Sequence, residues 1–168
     1  LTIGSGEWIP TLEEMLDALP KDAYLDVELK EETLTPADAK PIAAILDARR
    51  SRDRLMISSF DPELLFGLRG MGFTVGYLVG EEIANKGLRA FAKVLLRLRP
   101  QFINLPVDMI GMLGRRKAVS FFRILRSLGF SLLFWTVNTA EETGILAPHA
   151  RIVVTDEVER IVAAFTKN

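Results

Sequence analysis

Six apolar strand patterns alternate with amphipathic helical patterns, which predicts an α/β fold built on a mostly parallel sheet. The predicted strands are Tyr24–Lys30, Leu55–Phe60, Thr74–Val79, Phe102–Pro106, Ser131–Asn138 and Arg151–Asp156. Polar residues follow the apolar part of several strands, a pattern typical of a barrel. No low-complexity linker or long charge run divides the 168 residues, so we expect one domain over residues 1–168.

Capping side chains mark where several predicted helices begin. Thr11 with Glu14, and Thr139 with Glu142, have the spacing of a capping box. In a capping box, the two side chains satisfy backbone N–H groups that the first helical turn leaves without partners. Further helix caps are expected at Thr35, Asp61 and Asp156.

Two architectures satisfy this alternation: a doubly wound open sheet and a (β/α)₈ TIM barrel. An open sheet usually has a glycine-rich phosphate turn after its first strand, and none follows Lys30. A barrel places polar residues at the carboxyl ends of several strands, as at Glu28, Ser58 and Asp156. A complete barrel has eight strands and about 250 residues. The sequence therefore predicts about six of eight βα units, with roughly two more units before Leu1.

Composition excludes several classes of function. The chain has 21 Lys+Arg, 22 Asp+Glu and no cysteine, which excludes a disulfide scaffold and a cysteine-ligated zinc site. A net charge of −1 gives the whole chain no attraction for nucleic acid or an anionic membrane. No uncharged apolar run approaches a membrane span, and the first residues lack a signal-peptide layout. We expect a cytoplasmic protein with no nucleic-acid partner and no stable membrane span.

The segment Leu25–Lys30 alternates apolar and ionisable residues. Strand periodicity places Asp26, Glu28 and Lys30 on one face and the apolar side chains on the other. Parallel strands are normally buried on both faces, and an unpaired buried charge costs several kcal/mol. The ionisable face therefore indicates a metal, an ion pair or a water-filled cavity. An edge strand with a solvated face, or a structural Glu28–Lys30 pair, explains the pattern equally well.

Three further residues at strand ends are candidate substrate-binding residues. Ser58 and Phe60 follow an apolar strand, and Trp135 lies near the end of another. Taken singly, the hydroxyl also fits strand-end capping, and each aromatic also fits an ordinary core position.

His149 is the only histidine. It precedes the last predicted strand and so lies at the amino-terminal face of the sheet, which in a barrel serves stability and not catalysis. We interpret it as a surface or capping residue and not as a catalytic base.

Two features follow the strand Phe102–Pro106. The glycine-containing apolar segment Met109–Gly114 predicts a mobile lip at the mouth of the site, with core at the start of a helix as the alternative. The next helix carries a basic face that we interpret as solvated. Its cations are Arg115, Arg116, Lys117, Arg123 and Arg126.

Taken together, five segments resemble the glycerophosphodiester phosphodiesterase family in order and spacing across essentially the whole chain. They are Ile9–Glu14, Val27–Lys30, Ile57–Pro62, Trp135–Asn138 and Val153–Asp156. The resemblance implies a (β/α)₈ barrel that hydrolyses glycerophosphodiesters to glycerol 3-phosphate and an alcohol, in lipid metabolism, with Ca²⁺ or Mg²⁺.

The resemblance also implies roles for individual residues. Glu28 corresponds to a metal-ligating carboxylate, and Lys30 to a catalytic cation near the phosphate. Phe60 and Trp135 correspond to aromatic residues that line the pocket, and the partner is a small phosphodiester substrate.

The family's His-Arg-Gly segment, its Glu-x-Asp ligands and its second histidine precede the segment Ile9–Glu14. We therefore expect this chain alone to be inactive. The alternatives are a non-catalytic partial barrel that binds an anionic ligand or a partner chain, and an unrelated doubly wound binding domain. Because a six-stranded sheet exposes two edges, we expect a homo-oligomer or pairing with the missing amino-terminal part.

Overall fold

A computed structural model of the chain describes residues 2–3, 7–30, 32–80 and 82–165. The strands are β1 (Thr2–Ile3), β2 (Glu7–Trp8), β3 (Leu25–Glu28), β4 (Leu55–Ser59), β5 (Thr74–Leu78), β6 (Phe102–Pro106), β7 (Ser131–Trp135) and β8 (Ile152–Val153). The α-helices are α1 (Leu12–Ala18), α2 (Ala39–Arg49), α3 (Pro62–Gly70), α4 (Glu82–Leu98), α5 (Met109–Leu113), α6 (Arg115–Ser127), α7 (Ala140–Leu146) and α8 (Val158–Phe165). Short 3₁₀ helices cover Pro36–Asp38 and Arg52–Arg54.

Strands β3 to β8 form one six-stranded sheet in sequence order, and every neighbouring pair is parallel. Helices follow the strands, so the chain repeats the βα unit of a TIM barrel. The predicted fold class is confirmed, as are all six predicted strands, although most are shorter than expected. A small antiparallel hairpin of β1 and β2 precedes them, which the sequence did not predict.

The sheet curls toward one face. Phe60 directly follows β4 and Trp135 ends β7, so two strands lie between them. In a flat sheet, three strand spacings of about 4.8 Å would keep the two backbones about 14 Å apart. The ring centroids are only 6.1 Å apart, in an edge-to-face contact. The six strands therefore form the wall of a partial barrel.

The two faces of the sheet have different chemistry. The outer face packs against the helices, and this helix–sheet layer is the hydrophobic core. Fully buried strand residues on it include Ile57, Val75, Ile103, Leu105, Leu132 and Phe134. Burying each such side chain contributes about 1.5–3 kcal/mol. The inner face carries the alternate residues, among them Glu28, Ser58 and Asn104.

The helix caps follow the sequence pattern closely. The Thr11 hydroxyl accepts from the N–H of Glu14, whose carboxylate accepts from the N–H of Thr11. At α3 the cap is a single hydrogen bond, in which the Asp61 carboxylate accepts from the N–H of Glu63. Thr35 begins the 3₁₀ turn that leads into α2.

The predicted cap at Asp156 is wrong. Helix α8 begins two residues later, at Val158. The Asp156 carboxylate instead accepts a hydrogen bond of 2.9 Å from the Asn138 amide. A long-range partner therefore replaces the local cap.

His149 lies on the amino-terminal side of β8, as expected, but it is buried and not a surface residue. Its ring packs 5.9 Å from the ring of Phe122 on α6. Burial lowers the pKa of His149, and the nearby charges of Arg126 and Arg123 lower it further. The imidazole is therefore a neutral packing group.

Helix α4 is interrupted at Gly87, which has a φ of 77° and a ψ of 166°. Only glycine adopts this conformation at little cost.

In the part of the chain that the structure describes, no helix is both long and apolar enough to cross a membrane.

The outer strands β3 and β8 are the edges of the sheet. Beside β8, a groove of about 480 Å³ runs between this strand and α8. Its exposed apolar side chains include Ile152, Val154, Val158, Val162 and Phe165. This groove is the apolar side of a sheet edge that pairs with no further strand among the described residues, and it lies apart from Glu28 and Lys30.

Replacement of Thr139 by Ala should lower the free energy of unfolding by about 1 kcal/mol, because the N–H of Glu142 loses its acceptor. Urea denaturation measures this loss. Thr33→Ala, in an exposed turn, is the matched control and should be neutral. Equal losses in the two variants would show that the capping box contributes nothing specific.

Candidate functional site

The ionisable residues of β3 lie on the inner face at its carboxyl end. Glu28 is in register with Ser58 on β4. The Lys30 ammonium lies 2.5 Å from Glu28 Oε1. The Lys30 side chain keeps 63% of its surface exposed and the Glu28 side chain 38%. Such an exposed pair adds little stability, so the charges can be drawn to another partner at small cost.

Asp26 lies one inward position earlier on β3. Burial of its carboxyl raises the pKa from the ordinary 3.8 to about 6. A hydrogen bond from the Ser58 hydroxyl opposes the rise, and the neighbouring Glu28 charge adds to it. Although the residue retains solvent access from the open side of the barrel, its carboxyl group is poorly hydrated. Ser58 therefore contacts Asp26, a neighbour that sequence reasoning did not assign to it.

A buried amide lies next to Ser58, beyond the glycine of β5. Ser58 is in register with Gly76, and Asn104 on β6 leans over that glycine. A Cβ atom at Gly76 would lie 2.8 Å from Asn104 Oδ1. Asn104 is fully buried, and neither of its amide atoms has a hydrogen-bond partner among the described residues.

Sequence reasoning missed Asn104. Its signal was a polar residue at an inward position of the otherwise apolar strand Phe102–Pro106. Since an unpaired buried amide costs free energy, this position of the inner face is suited to a polar group that is not among the described residues.

Phe60 and Trp135 form an aromatic wall at the carboxyl end of the sheet. Both are half-buried, and their rings meet edge to face at 85°. Gly80 leaves room for Phe60, since a Cβ there would lie 3.2 Å from the ring. The indole Nε1 of Trp135 is buried without a hydrogen-bond partner in the described part of the chain. The two predicted aromatics are therefore brought together.

Asn138 joins the ends of β7 and β8. Its Oδ1 accepts from the Thr155 hydroxyl at 3.1 Å and from the N–H of Asp156 at 3.0 Å. Its own N–H donates to the Glu142 carboxylate. These polar residues hold the two loops together, so their role is structural.

Within the segment Met109–Gly114, residues Met109–Leu113 form the short helix α5 directly after β6, and Gly114 is its C-cap. Met109 is buried, whereas Met112 and Leu113 are 60% and 41% exposed. The apolar lip is therefore in its expected place, and its mobility stays a prediction.

Glu28 is a hard oxygen donor of the kind that Ca²⁺ and Mg²⁺ prefer. A divalent site needs several such oxygens, and no group of three His, Cys, Asp or Glu residues suited to a metal occurs among the described residues. Glu28 therefore fits as one ligand, and the residues described here do not complete a coordination shell.

No family model matches the chain, and no curated protein matches it. Solved structures do. A glycerophosphodiester phosphodiesterase from Thermotoga maritima superposes with a TM-score of 0.73 at 27% identity, over 92% of this chain and 63% of that one. The chain is a structural relative of the glycerophosphodiester phosphodiesterases. The resemblance seen in the sequence is thereby confirmed.

Two further structures share the fold of this chain. A glycerophosphoryl diester phosphodiesterase from Agrobacterium tumefaciens has a TM-score of 0.76 at 19% identity, covering 99% of this chain and 68% of that one. A phosphodiesterase from Oleispira antarctica, in complex with its product sn-glycerol-3-phosphate, has a TM-score of 0.73 at 19% identity, over 94% and 61%. This chain thus spans between 61% and 68% of the length of these three proteins.

Asp26→Asn should stabilise the chain above pH 6 and leave its stability nearly unchanged below pH 3.8. The folded-state pKa of Asp26 is raised from 3.8 to about 6. The stability that its protonated form contributes is therefore complete below 3.8 and is lost as the pH rises through 6. Thermal unfolding across this range measures the effect.

The exposed Asp22→Asn change is the control for this experiment. If the stability of the wild type changed with pH in parallel with that of Asp26→Asn, the raised pKa assigned to Asp26 would be contradicted.

Proposed function

We propose that these residues form the carboxyl-terminal part of a metal-dependent glycerophosphodiester phosphodiesterase, which releases glycerol 3-phosphate and an alcohol. The observation that carries the proposal is the placement of Glu28 and Lys30 on the inner face of a partial barrel related to that family. Active sites of TIM barrels lie at the carboxyl ends of the strands, where this pair lies.

Lys30 provides the charge that a phosphodiester needs. Its ammonium contacts Glu28 in an exposed pair, so it can turn to a non-bridging phosphate oxygen without leaving a buried carboxylate unpaired. A fixed cation there stabilises the negative charge that grows in the transition state. A divalent ion, when bound with Glu28 as one ligand, would neutralise the phosphodiester and orient the glycerol hydroxyl.

The aromatic wall supports the same proposal. Phe60 and Trp135 present apolar surface beside these charges, which suits the carbon skeleton of glycerol or of the leaving alcohol. We propose that Ser58 contacts the substrate from the neighbouring strand. Its hydroxyl already interacts with Asp26, so Ser58 contributes a polar group to the floor of the site.

General acid–base chemistry must come from outside this chain. His149 is the only histidine, and it is buried against Phe122 at the opposite end of the sheet. The family resemblance assigns the acid and base to histidines upstream of Ile9–Glu14.

A cytoplasmic location is part of this proposal.

The 168-residue chain alone should release no glycerol 3-phosphate from glycerophosphocholine with Ca²⁺ or Mg²⁺, because no histidine reaches the candidate site. A coupled enzymatic assay for glycerol 3-phosphate measures this. The control is the same chain extended by its upstream βα units, which should be active. Metal-dependent turnover by the shorter chain would overturn the assignment of the acid and base.

In the extended chain, Glu28→Gln should raise the metal concentration needed for half-maximal rate and lower activity with it. Lys30→Ala should lower kcat by about 10²–10³-fold, a typical loss for one electrostatic stabiliser, without changing the metal requirement. Steady-state kinetics with a metal titration separates the two effects.

Glu32→Gln, in an exposed turn two residues beyond Lys30, is the matched control for both variants. Normal turnover and an intact metal response in Glu28→Gln would exclude it as a ligand.

The second candidate function is a non-catalytic partial barrel that binds a partner chain. The apolar groove between β8 and α8 favours it, because the exposed Val158 and Phe165 lie beside a strand that is an edge of the described sheet, and exposed edges promote pairing. In the proposed enzyme, upstream βα units cover this edge. A stable homo-oligomer of the chain, together with inactivity of the extended form, would select the second candidate.

A further inference from the structure

A cluster of exposed side chains joins α5 to α6 at the mouth of the barrel. It consists of Met112 and Leu113 on α5 and Arg115, Arg116 and Lys117 on α6, and we refer to these five residues as the mouth patch. All five are exposed. Because α5 follows β6 directly, the patch lies at the same end of the sheet as Glu28 and Phe60.

The mouth patch is strongly cationic within an almost neutral chain. No acidic residue occurs between Asp108 and Glu141, whereas this stretch contains five Lys or Arg residues. The whole chain has a net charge of −1, so the remainder is negative. Among the described residues, Arg115, Arg116 and Lys117 form no salt bridge. Their charges are therefore available to an external anion.

The position of these cations is unfavourable for the helix itself. Three positive charges occupy the first turn of α6, which has no acidic residue and no side-chain cap. The amino-terminal end of a helix carries a partial positive charge, so cations there are repelled and anions are favoured. Helix stability therefore does not account for this arrangement.

We propose that the mouth patch binds the surface of an anionic membrane. Basic residues next to exposed apolar side chains match the interfacial layer of a bilayer, where cations meet phosphate groups and apolar groups enter the acyl boundary. A nucleic acid would use the cations alone, and Met112 and Leu113 would remain in water. Arg123 lies about two turns beyond Arg116 on the same face of α6, and it extends the basic surface beside Arg115 and Arg116.

This inference is independent of the proposed reaction. A membrane bound at the mouth patch would face the carboxyl ends of the strands, since α5 and the start of α6 lie at that end. Whatever the partial barrel binds there would then be exchanged with the membrane surface. The interaction is peripheral, because it involves a patch at one end of a folded unit.

Vesicle sedimentation tests the proposal with the 168-residue chain. We expect binding to vesicles that contain phosphatidylglycerol, no binding to phosphatidylcholine alone, and loss of binding at high salt. The triple variant Arg115→Gln, Arg116→Gln, Lys117→Gln should bind on the order of a hundredfold more weakly, as three cations near an anionic surface predict. The pair Met112→Ser, Leu113→Ser should also weaken binding but keep its salt dependence.

The matched control removes three exposed cations elsewhere: Lys40→Gln, Lys93→Gln and Arg151→Gln. It changes the net charge equally and should bind vesicles nearly as well as the wild type. Circular dichroism of each variant establishes that it is folded. Equal losses in control and patch variants, equal binding to uncharged vesicles, or tighter binding to a DNA duplex than to anionic vesicles would each overturn the proposal.

Discussion

Strand alternation in a curled parallel sheet is the constraint on which the rest of the structure depends. Each strand must bury one set of side chains against the helices, which supplies most of the hydrophobic stabilisation. The alternate set then points into the barrel, whatever its chemistry. On β3 this second set is Asp26, Glu28 and, just beyond the strand, Lys30. The same periodicity that stabilises the fold therefore places the ionisable groups at the site.

Local patterns were sufficient to predict most of the fold. Strand periodicity, capping boxes and prolines after caps depend on residues within one turn or strand, and the structure contains them where the sequence predicts. The errors involve partners distant in sequence. His149 is buried because Phe122 packs on it, and Asp156 turns away from α8 because Asn138 offers it an amide. Neither competitor is visible in a local pattern.

For the candidate site, the sequence likewise predicted what depends on one strand and not what depends on neighbouring strands. The two-residue periodicity of a strand predicted that Glu28 and Lys30 share one face. The positions of Phe60 and Trp135 at the ends of their strands predicted that both lie at the carboxyl end of the sheet. Contacts between strands could not be predicted: burial raises the pKa of Asp26, and a hydrogen bond from Ser58 on β4 opposes that rise. The Asn104 amide fits on the inner face because the neighbouring position on β5 is Gly76, which has no side chain to displace it. Such features arise from register between strands, which one strand's sequence does not contain.

Cations occur in two different settings at the mouth of the barrel. Lys30 is paired with Glu28 on the inner wall, so an anion has to compete with a carboxylate for its charge. Arg115 and Arg116 have no such carboxylate among the described residues and lie on the outer rim. The paired charge on the inner face favours a ligand that can displace the Glu28 carboxylate. A charge at the rim acts on any anionic surface within one Debye length, roughly 10 Å at moderate salt. The two settings therefore suit the two proposed contacts at this end of the fold, an anionic surface at the rim and a phosphodiester inside the barrel.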